Sequence, residues 1–513
     1  MMETEWGKEM ECSPDPVYTE CSAEYTLPDY LPDVRRVLTV RGQLFPGETY
    51  LSNGKAEAGG SCMFHLLYTA PDGDVASVSI PGEYKYTVNI GSEHEGEILF
   101  WEHSHLEQVS CRLIGPRKML CRGMVVSKPK WWADEPQEAS TEEQEDLYFL
   151  EKECISKRAL PFSTQDRSMK VSLPVEGAGD AAILSYNGAA LVREICQGNQ
   201  GKVAKGDLYL EAVLAGEDDI PFTLSTKSSF EEALPEGVEE NIFCTAEVTS
   251  LEVGMAEEGE RPEVVFDATL RLSGHSSKNQ PLSLVTDVFS KKYPTKVSYG
   301  EKTVSRHVAN VTRCFEIEGS VDRPAEMMDG AMTVAATFLT MNPPTFTPDG
   351  HRLTAEALAH VTMLLCSEGN EEGPILQSHH FDYPVKMEIP LPETPPQNTK
   401  WEVETTVSPA HGRLDQNKLF FEGEIALTLC GTAKENYQVA EEMEEDKDHP
   451  YKDEGHRIIA AYLESGDSLW SIAKRYHTDP ERIAKQNSLA EEALEHPDQA
   501  YTLDGYIRLL IST

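Results

Sequence analysis

From Val37 onward, apolar and polar positions alternate in short runs broken by Gly, Pro and Asp. Leu38, Val40 and Gly42 alternate, Cys62-Met63-Phe64-His65-Leu66-Leu67-Tyr68 is dense in strand formers, and Pro71-Asp72-Gly73-Asp74 turns the chain into Val75, Val78 and Ile80. A period of two sends successive side chains to opposite faces of a sheet, so this spacing predicts short strands in antiparallel sheets packed face to face. Two more strands are expected at Ser110 to Ile114 and Met119 to Val126, and Trp131 and Trp132 close the region. Before it, residues 1–24 are polar and read as a loop or disordered segment. The two prolines of Leu27-Pro28-Asp29-Tyr30-Leu31-Pro32-Asp33-Val34 then force extended or turn geometry, with Asp33 placed to cap a short helical turn.

The same strand pattern recurs. Phe64 to Tyr68 has a counterpart in Leu208-Tyr209-Leu210-Glu211-Ala212-Val213-Leu214 and a third in Ala359-His360-Val361-Thr362-Met363-Leu364-Leu365-Cys366. Each is followed by a turn and then a strand pair, at Ser79-Ile80-Pro81, Phe222-Thr223-Leu224 and Phe381-Asp382-Tyr383-Pro384-Val385. Closing strands are expected at Val264 to Leu270 and Lys418 to Leu427. The counterparts lie about 150 residues apart, the size of a domain rather than of a solenoid repeat. The reading is therefore mainly β: tandem antiparallel β-sandwich-like domains at 25–132, 158–300 and 301–440. The acidic stretches 133–157, with one helix from Glu142 to Cys154, and 441–456 are expected as linkers, the second leaving the last segment on a mobile tether.

That last segment, 457–513, has a different rhythm. Ile459, Ala461 and Leu463 read as a strand, Ser465-Gly466-Asp467 as a sharp turn, and Leu469, Ile472, Ala473 and Tyr476 as the buried face of a helix capped by Asp467 or Ser468. Asp479-Pro480-Glu481 opens a second helix, with Ile483, Ala484 and Leu489 as its apolar side, and Tyr506 to Ile511 closes the unit as a strand. This βααβ order, with the core Gly466-Asp467-Ser468-Leu469-Trp470-Ser471-Ile472-Ala473 and with Tyr476, Ile483 and Asn487, resembles a LysM domain. The resemblance implies a small α+β fold that grips N-acetylglucosamine chains of peptidoglycan or chitin between the loop after the first strand and the loop before the last. Leu503-Asp504-Gly505 replaces the usual Pro-Gly, and 491–500 enlarges the second loop. The contact candidates are Ser465, Gly466, Asp467, Ser468, Leu469, Asn487 and Ser488, with Trp470 open to either reading, core or contact.

Composition narrows the function classes. The 87 acids against 45 bases make nucleic acid and anionic membrane surfaces unfavourable partners. Neither a secretory signal at Met1 to Trp6 nor an apolar run long enough to span a bilayer is visible. Eleven cysteines, scattered singly, read as reduced thiols in a cytosolic setting. His103-Ser104-His105 with His94, and His379-His380, lack a matching ligand frame for a metal. Gly198-Asn199-Gln200-Gly201-Lys202 lacks the spacing of a phosphate loop and reads as a turn. Catalytic, cofactor-binding and metal residues are accordingly expected to be none.

Repeated β-domains followed by a terminal LysM, with Leu27 to Val34 opening the first, resemble the SipL-type spore-coat morphogenesis proteins, whose β-domains are called SPOCS domains. That resemblance implies a non-enzymatic adaptor in the cytoplasm of the mother cell, at the forespore outer membrane. Its LysM would bind the coat's basement-layer ATPase, stage IV sporulation protein A, and so hold other coat proteins at the spore surface. The alternative expectation is a peptidoglycan-binding protein of the cortex or wall.

Overall fold

The computed structural model describes residues 10–91, 98–133, 146–175, 181–199, 201–216, 220–238, 240–256, 262–324, 332–367, 375–451 and 457–512. The first strand set is β1 Met10–Cys12, β2 Val17–Thr26, β3 Arg36–Pro46, β4 Tyr50–Ser52, β5 Lys55–Thr69, β6 Val75–Asn89, β7 Leu99–Gly115 and β8 Lys118–Ala133. The second is β9 Leu147–Ser163, β10 Arg167–Pro174, β11 Ala182–Gly198, β12 Gly201–Ala215, β13 Pro221–Ala233, β14 Ile242–Ala256 and β15 Glu263–Ser290. The third is β16 Thr295–Asp322, β17 Met332–Met341, β18 Thr345–Asp349, β19 Arg352–Ser367, β20 Ile375–Pro390, β21 Thr399–Val407, β22 His411–Asp415 and β23 Lys418–Glu445. The chain ends with β24 Ile458–Tyr462, α1 Leu469–Arg475, α2 Pro480–Asn487, α3 Glu492–Glu495, a 3-10 turn Ala500–Leu503 and β25 Arg508–Ser512.

Each set makes two sheets. In one, β5, β12 or β19 is the centre, and in the other β8, β15 or β23. The three counterparts expected from the sequence are thus the three central strands, which carry the densest apolar runs because they are covered on both sides. Within each set the two sheets close on a common core. Phe64 and Leu66 meet Met119 and Val125, Leu208 and Leu210 meet Phe266 and Leu270, and Val361 and Met363 meet Phe421 and Ile425.

A shared irregularity ties the sets together. The first strand of each β5-type sheet bulges at the same place, between Val37 and Thr39, Ile183 and Ser185, and Val334 and Ala336. The extra residues Leu38, Leu184 and Ala335 are buried together with Leu67, Val213 and Leu364 in one cluster, to which all three sets contribute. A bulge re-aims a side chain, and here it aims three at one another.

The chain divides into two compact units: Met1–Glu135, Arg158–Lys278 and His307–Thr432 form the first, and Pro136–Lys157, Asn279–Arg306 and Ala433–Thr513 the second. Strands β9, β15, β16 and β23 supply residues to both. In the second unit, the parts of these strands pack through Cys154, Leu284, Val304 and Val439.

Several sequence expectations change. Residues 147–154, expected as the end of a helix, are strand because β9 pairs with β15, and 142–145 lie outside the described residues. Asp33 caps no helix; its Oδ1 accepts from Arg117 Nη1 at 2.6 Å, while Arg117 Nη2 also reaches the carbonyl of Pro28 at 2.7 Å. Part of the polar N-terminal segment is strand, in β1 and β2. The acidic run expected as a tether is strand as far as Glu445, after which Asp446 N–H donates to Pro294 O at 2.9 Å and Tyr451 N–H to Lys292 O at 2.9 Å.

Candidate functional site

The terminal βααβ segment is built by caps and a small core. Ser468 Oγ accepts from Ser471 N–H, and Ser471 Oγ accepts from Ser468 N–H at 2.9 Å, a reciprocal cap that starts α1. Asp479 accepts from Glu481 N–H at 2.8 Å, and Pro480 sits in the first turn of α2. Leu469, Ile472, Ala473, Ile483 and Ala484 from the helices meet Ala461, Leu509 and Ile511 from β24 and β25.

The expected contact residues separate into exposed and internal groups. Ser465 and Gly466 are exposed on the turn, where Gly466 adopts φ +94°, a conformation that strains any side chain. Asp467 is buried: its carboxylate accepts from Glu464 N–H at 2.9 Å and from Arg475 Nη2 at 2.5 Å. Burial pushes that carboxyl up, but Arg475 and the Glu464 amide outweigh it and hold it below its ordinary range. Ser468 is buried in its capping role, and Leu469 is 0% exposed in the core. Asn487 faces β25, with Nδ2 donating to Leu510 O at 2.7 Å and Oδ1 accepting from Leu510 N–H at 2.6 Å. Ser488 closes α2 in the left-handed conformation and is exposed; its carbonyl accepts from Tyr506 Oη–H at 3.4 Å.

Trp470 is core. It is 6% exposed, packs edge-on against Phe289 at 5.0 Å between ring centroids, and donates its indole N–H to Asp287 Oδ2 at 2.8 Å. Lys474 Nζ reaches both oxygens of Asp287 at 2.8 Å, Tyr299 Oη–H donates to Oδ1 at 2.7 Å, and Tyr148 stacks on Phe289. Burial raises the Asp287 carboxyl, and these three donors reverse the shift to below the ordinary value. Asp287, Phe289 and Tyr148 escaped the sequence reading because nothing local links the tip of β15 or the start of β9 to a helix near the C-terminus.

The second wall is folded. α3 and the 3-10 turn bury Ala493 and Leu503 in the segment's core, and Pro497 O accepts Trp470 N–H at 2.8 Å. Its outward residues include Glu491, Glu492, Glu495, Asp498 and Asp504, together with Tyr501 and Tyr506.

Three places in the first unit bear on chemistry. A cavity of about 690 Å³ is lined by Tyr209, Lys227, His411 and Glu424 among others. Beside it, Arg193 bonds both Asp207 and Glu424; burial raises these two carboxyls, but Arg193, Ser229 and Lys227 at Asp207, and Tyr209 and Arg193 at Glu424, hold both below their ordinary values. Glu102, beside a recess of about 540 Å³, is pushed up to about 7 by burial and then by Glu247, and it accepts from Tyr86 Oη–H and Thr49 Oγ–H. His275, Glu402 and Cys430 place ligand atoms within 4.8 Å of one another, but the Lys130 ammonium already bonds the Glu402 oxygen that faces His275. A divalent ion there would have to displace that ammonium, and the group reads as a buried ion-pair pin.

The histidines singled out from the sequence have other partners. His103 bonds Glu247 and Glu404, His105 bonds Glu107, His380 bonds Thr362 and His379 packs near Phe381, while His94 lies outside the described residues.

Residues 464–496 match the family model of the LysM domain. No curated protein and no solved structure matches the chain. Among the described residues, no helix is long and apolar enough to cross a membrane.

Proposed function

We propose that this chain is a non-enzymatic adaptor whose LysM segment docks on a protein, and that it works in spore-coat assembly, in the cytoplasm at the forespore surface. The observation that carries this reading is the folded second wall. In a sugar-gripping LysM the two loops leave a groove between them. Here the enlarged loop packs on the start of α1 through Pro497 O and Leu503 and turns five carboxylates outward. Uncharged N-acetylglucosamine gains no Coulombic attraction from such a fringe, whereas a basic protein patch does. The coat's basement-layer ATPase, stage IV sporulation protein A, is the partner that the sequence resemblance supplies, and other coat proteins are the cargo of the β-sheet sets. The non-enzymatic reading is supported by Glu424 in the 690 Å³ cavity, whose carboxyl is held below its ordinary value by Tyr209 and Arg193 rather than poised near neutral pH.

A second reading, peptidoglycan binding, is favoured by the LysM match itself and by Tyr501 and Tyr506 exposed on the same wall, since aromatic faces stack on sugar rings. Parallel pull-downs with purified peptidoglycan and with the ATPase separate the two. Retention by the ATPase alone is expected, and retention by glycan alone contradicts the adaptor reading.

A further inference from the structure

The two edges of the small sheet β24–β25 are finished differently. On β25, the outward N–H and C=O of Leu510 are both met by the Asn487 amide, at 2.6 and 2.7 Å, and Gln486 Oε1 accepts from Ser512 N–H at 3.2 Å. One side chain thus stands in for a neighbouring strand. Among the described residues the sheet has two strands, and no strand covers the other side of β24. Leu463 N–H donates to Ile507 O at 3.0 Å, and with the register Ala461 to Leu509 and Ile459 to Ile511 this turns the N–H and C=O groups of Ile458, Ala460 and Tyr462 outward. The side chains of the same three residues lie on the solvent face, Ile458 72% and Tyr462 65% exposed. Proteins ordinarily blunt such an edge with Lys or Pro. This one carries neither.

We propose that β24 pairs antiparallel with β24 of a second copy, about a two-fold axis at Ala460. The order large, small, large is self-complementary: Ile458 meets Tyr462 of the other copy at each end, and two alanines meet on the axis. The pairing makes about six backbone hydrogen bonds, two for each bonded residue pair. Aromatic and β-branched side chains directly opposite each other are a favourable cross-strand pair. An unrelated strand has no reason to match all of these at once. The net charge of −42 repels two copies at long range, so association strengthens as salt screens it.

The test is sedimentation of the full-length chain up to about 100 μM, a range that reads dissociation constants of that order, at low and at high salt. A dimer is expected, tighter at high salt. Ala460→Pro removes an outward N–H and no internal bond, and is expected to be monomeric with an unchanged melting transition. Tyr462→Lys charges the edge and is expected to weaken association at least about tenfold, about 1.4 kcal/mol. If Ala460→Pro fails to fold, Tyr462→Lys decides alone. A wild-type chain that stays monomeric throughout overturns the proposal, whether or not a foreign strand binds the edge. So does a dimer that both variants leave equally tight.

Discussion

The indole N–H of Trp470 donates to Asp287 Oδ2 at 2.8 Å across 183 positions of sequence, and Lys474 from the same helix face reaches the same carboxylate. The LysM segment is therefore seated on the end of β15 by a buried aromatic contact and a half-buried ion pair. Asp287→Ala leaves the indole N–H and the ammonium without their acceptor, and a loss of about 2 kcal/mol from the second unit is expected. Hydrogen exchange in the peptide 463–476 should quicken, while the strands of the first unit exchange as before. Unchanged exchange there would mean that Asp287 does not hold the helix.

The same carboxylate sets an acid limit. Asp287 is held below its ordinary value, so its contribution is complete above the unfolded value of about 3.9 and is lost as pH falls through the folded one. Exchange protection of 463–476 is expected to be level from neutral pH to about pH 4 and to fall below it. Asp287→Asn should flatten that fall. Loss of protection near pH 6 in the wild type would point to a histidine instead.

Leu469 and Gly466 should respond differently to the same charge. Leu469→Asp puts a carboxylate into a fully buried position and is expected to unfold the segment, at a cost above about 3 kcal/mol. At Gly466 an added Cβ meets no atom within 4 Å and only φ +94° is strained, so Gly466→Lys should cost about 1 kcal/mol and leave the segment folded. Thermal melts of the two variants check this, and equal damage would contradict the placement of the turn.

A buried and a half-buried group of the first unit give opposite pH slopes. His65, in T-shaped contact with Tyr186 at 4.4 Å, is pushed down to about 4 by burial and then by Arg41. Its stabilising share is therefore present above the unfolded value of about 6.5 and is lost as pH falls toward the folded one. Glu102, raised to about 7, behaves conversely: its share is present below about 4.3 and is lost as pH rises through 7. Relative to wild type, His65→Phe should therefore gain about 3 kcal/mol between pH 6.5 and 4, and Glu102→Gln should gain about 3 kcal/mol between pH 4 and 7. Urea unfolding at three pH values measures both. Parallel curves for wild type and variants would refute the assignment.

Much of the architecture was legible in the residues, and the exceptions have physical causes. Phe64 to Tyr68, Leu208 to Leu214 and Ala359 to Cys366 announced three central strands because burial on both sides demands unbroken apolar runs. Leu469, Ile472 and Ala473 announced α1 by their period. Glu441 to Glu445 and the start of β9 were misleading because charged and Glu-rich runs favour linker or helix locally, whereas pairing with β16 and β15 overrides that preference. Asn487 was singled out as a contact, but its amide serves β25, a role visible only once the strand lies beside it. The Trp470 seat on Phe289 and the folding of the second wall depend on residues brought together by tertiary structure, which no window of sequence contains.

Binding of the full-length chain to the basement-layer ATPase, compared with binding to purified peptidoglycan under identical conditions and repeated with the five carboxylates at 491, 492, 495, 498 and 504 neutralised as amides, tests the adaptor reading most directly. The expected result is binding to the ATPase that weakens at least tenfold in the neutralised variant, with no retention by glycan. Retention by peptidoglycan with indifference to both the ATPase and the neutralisation would contradict it.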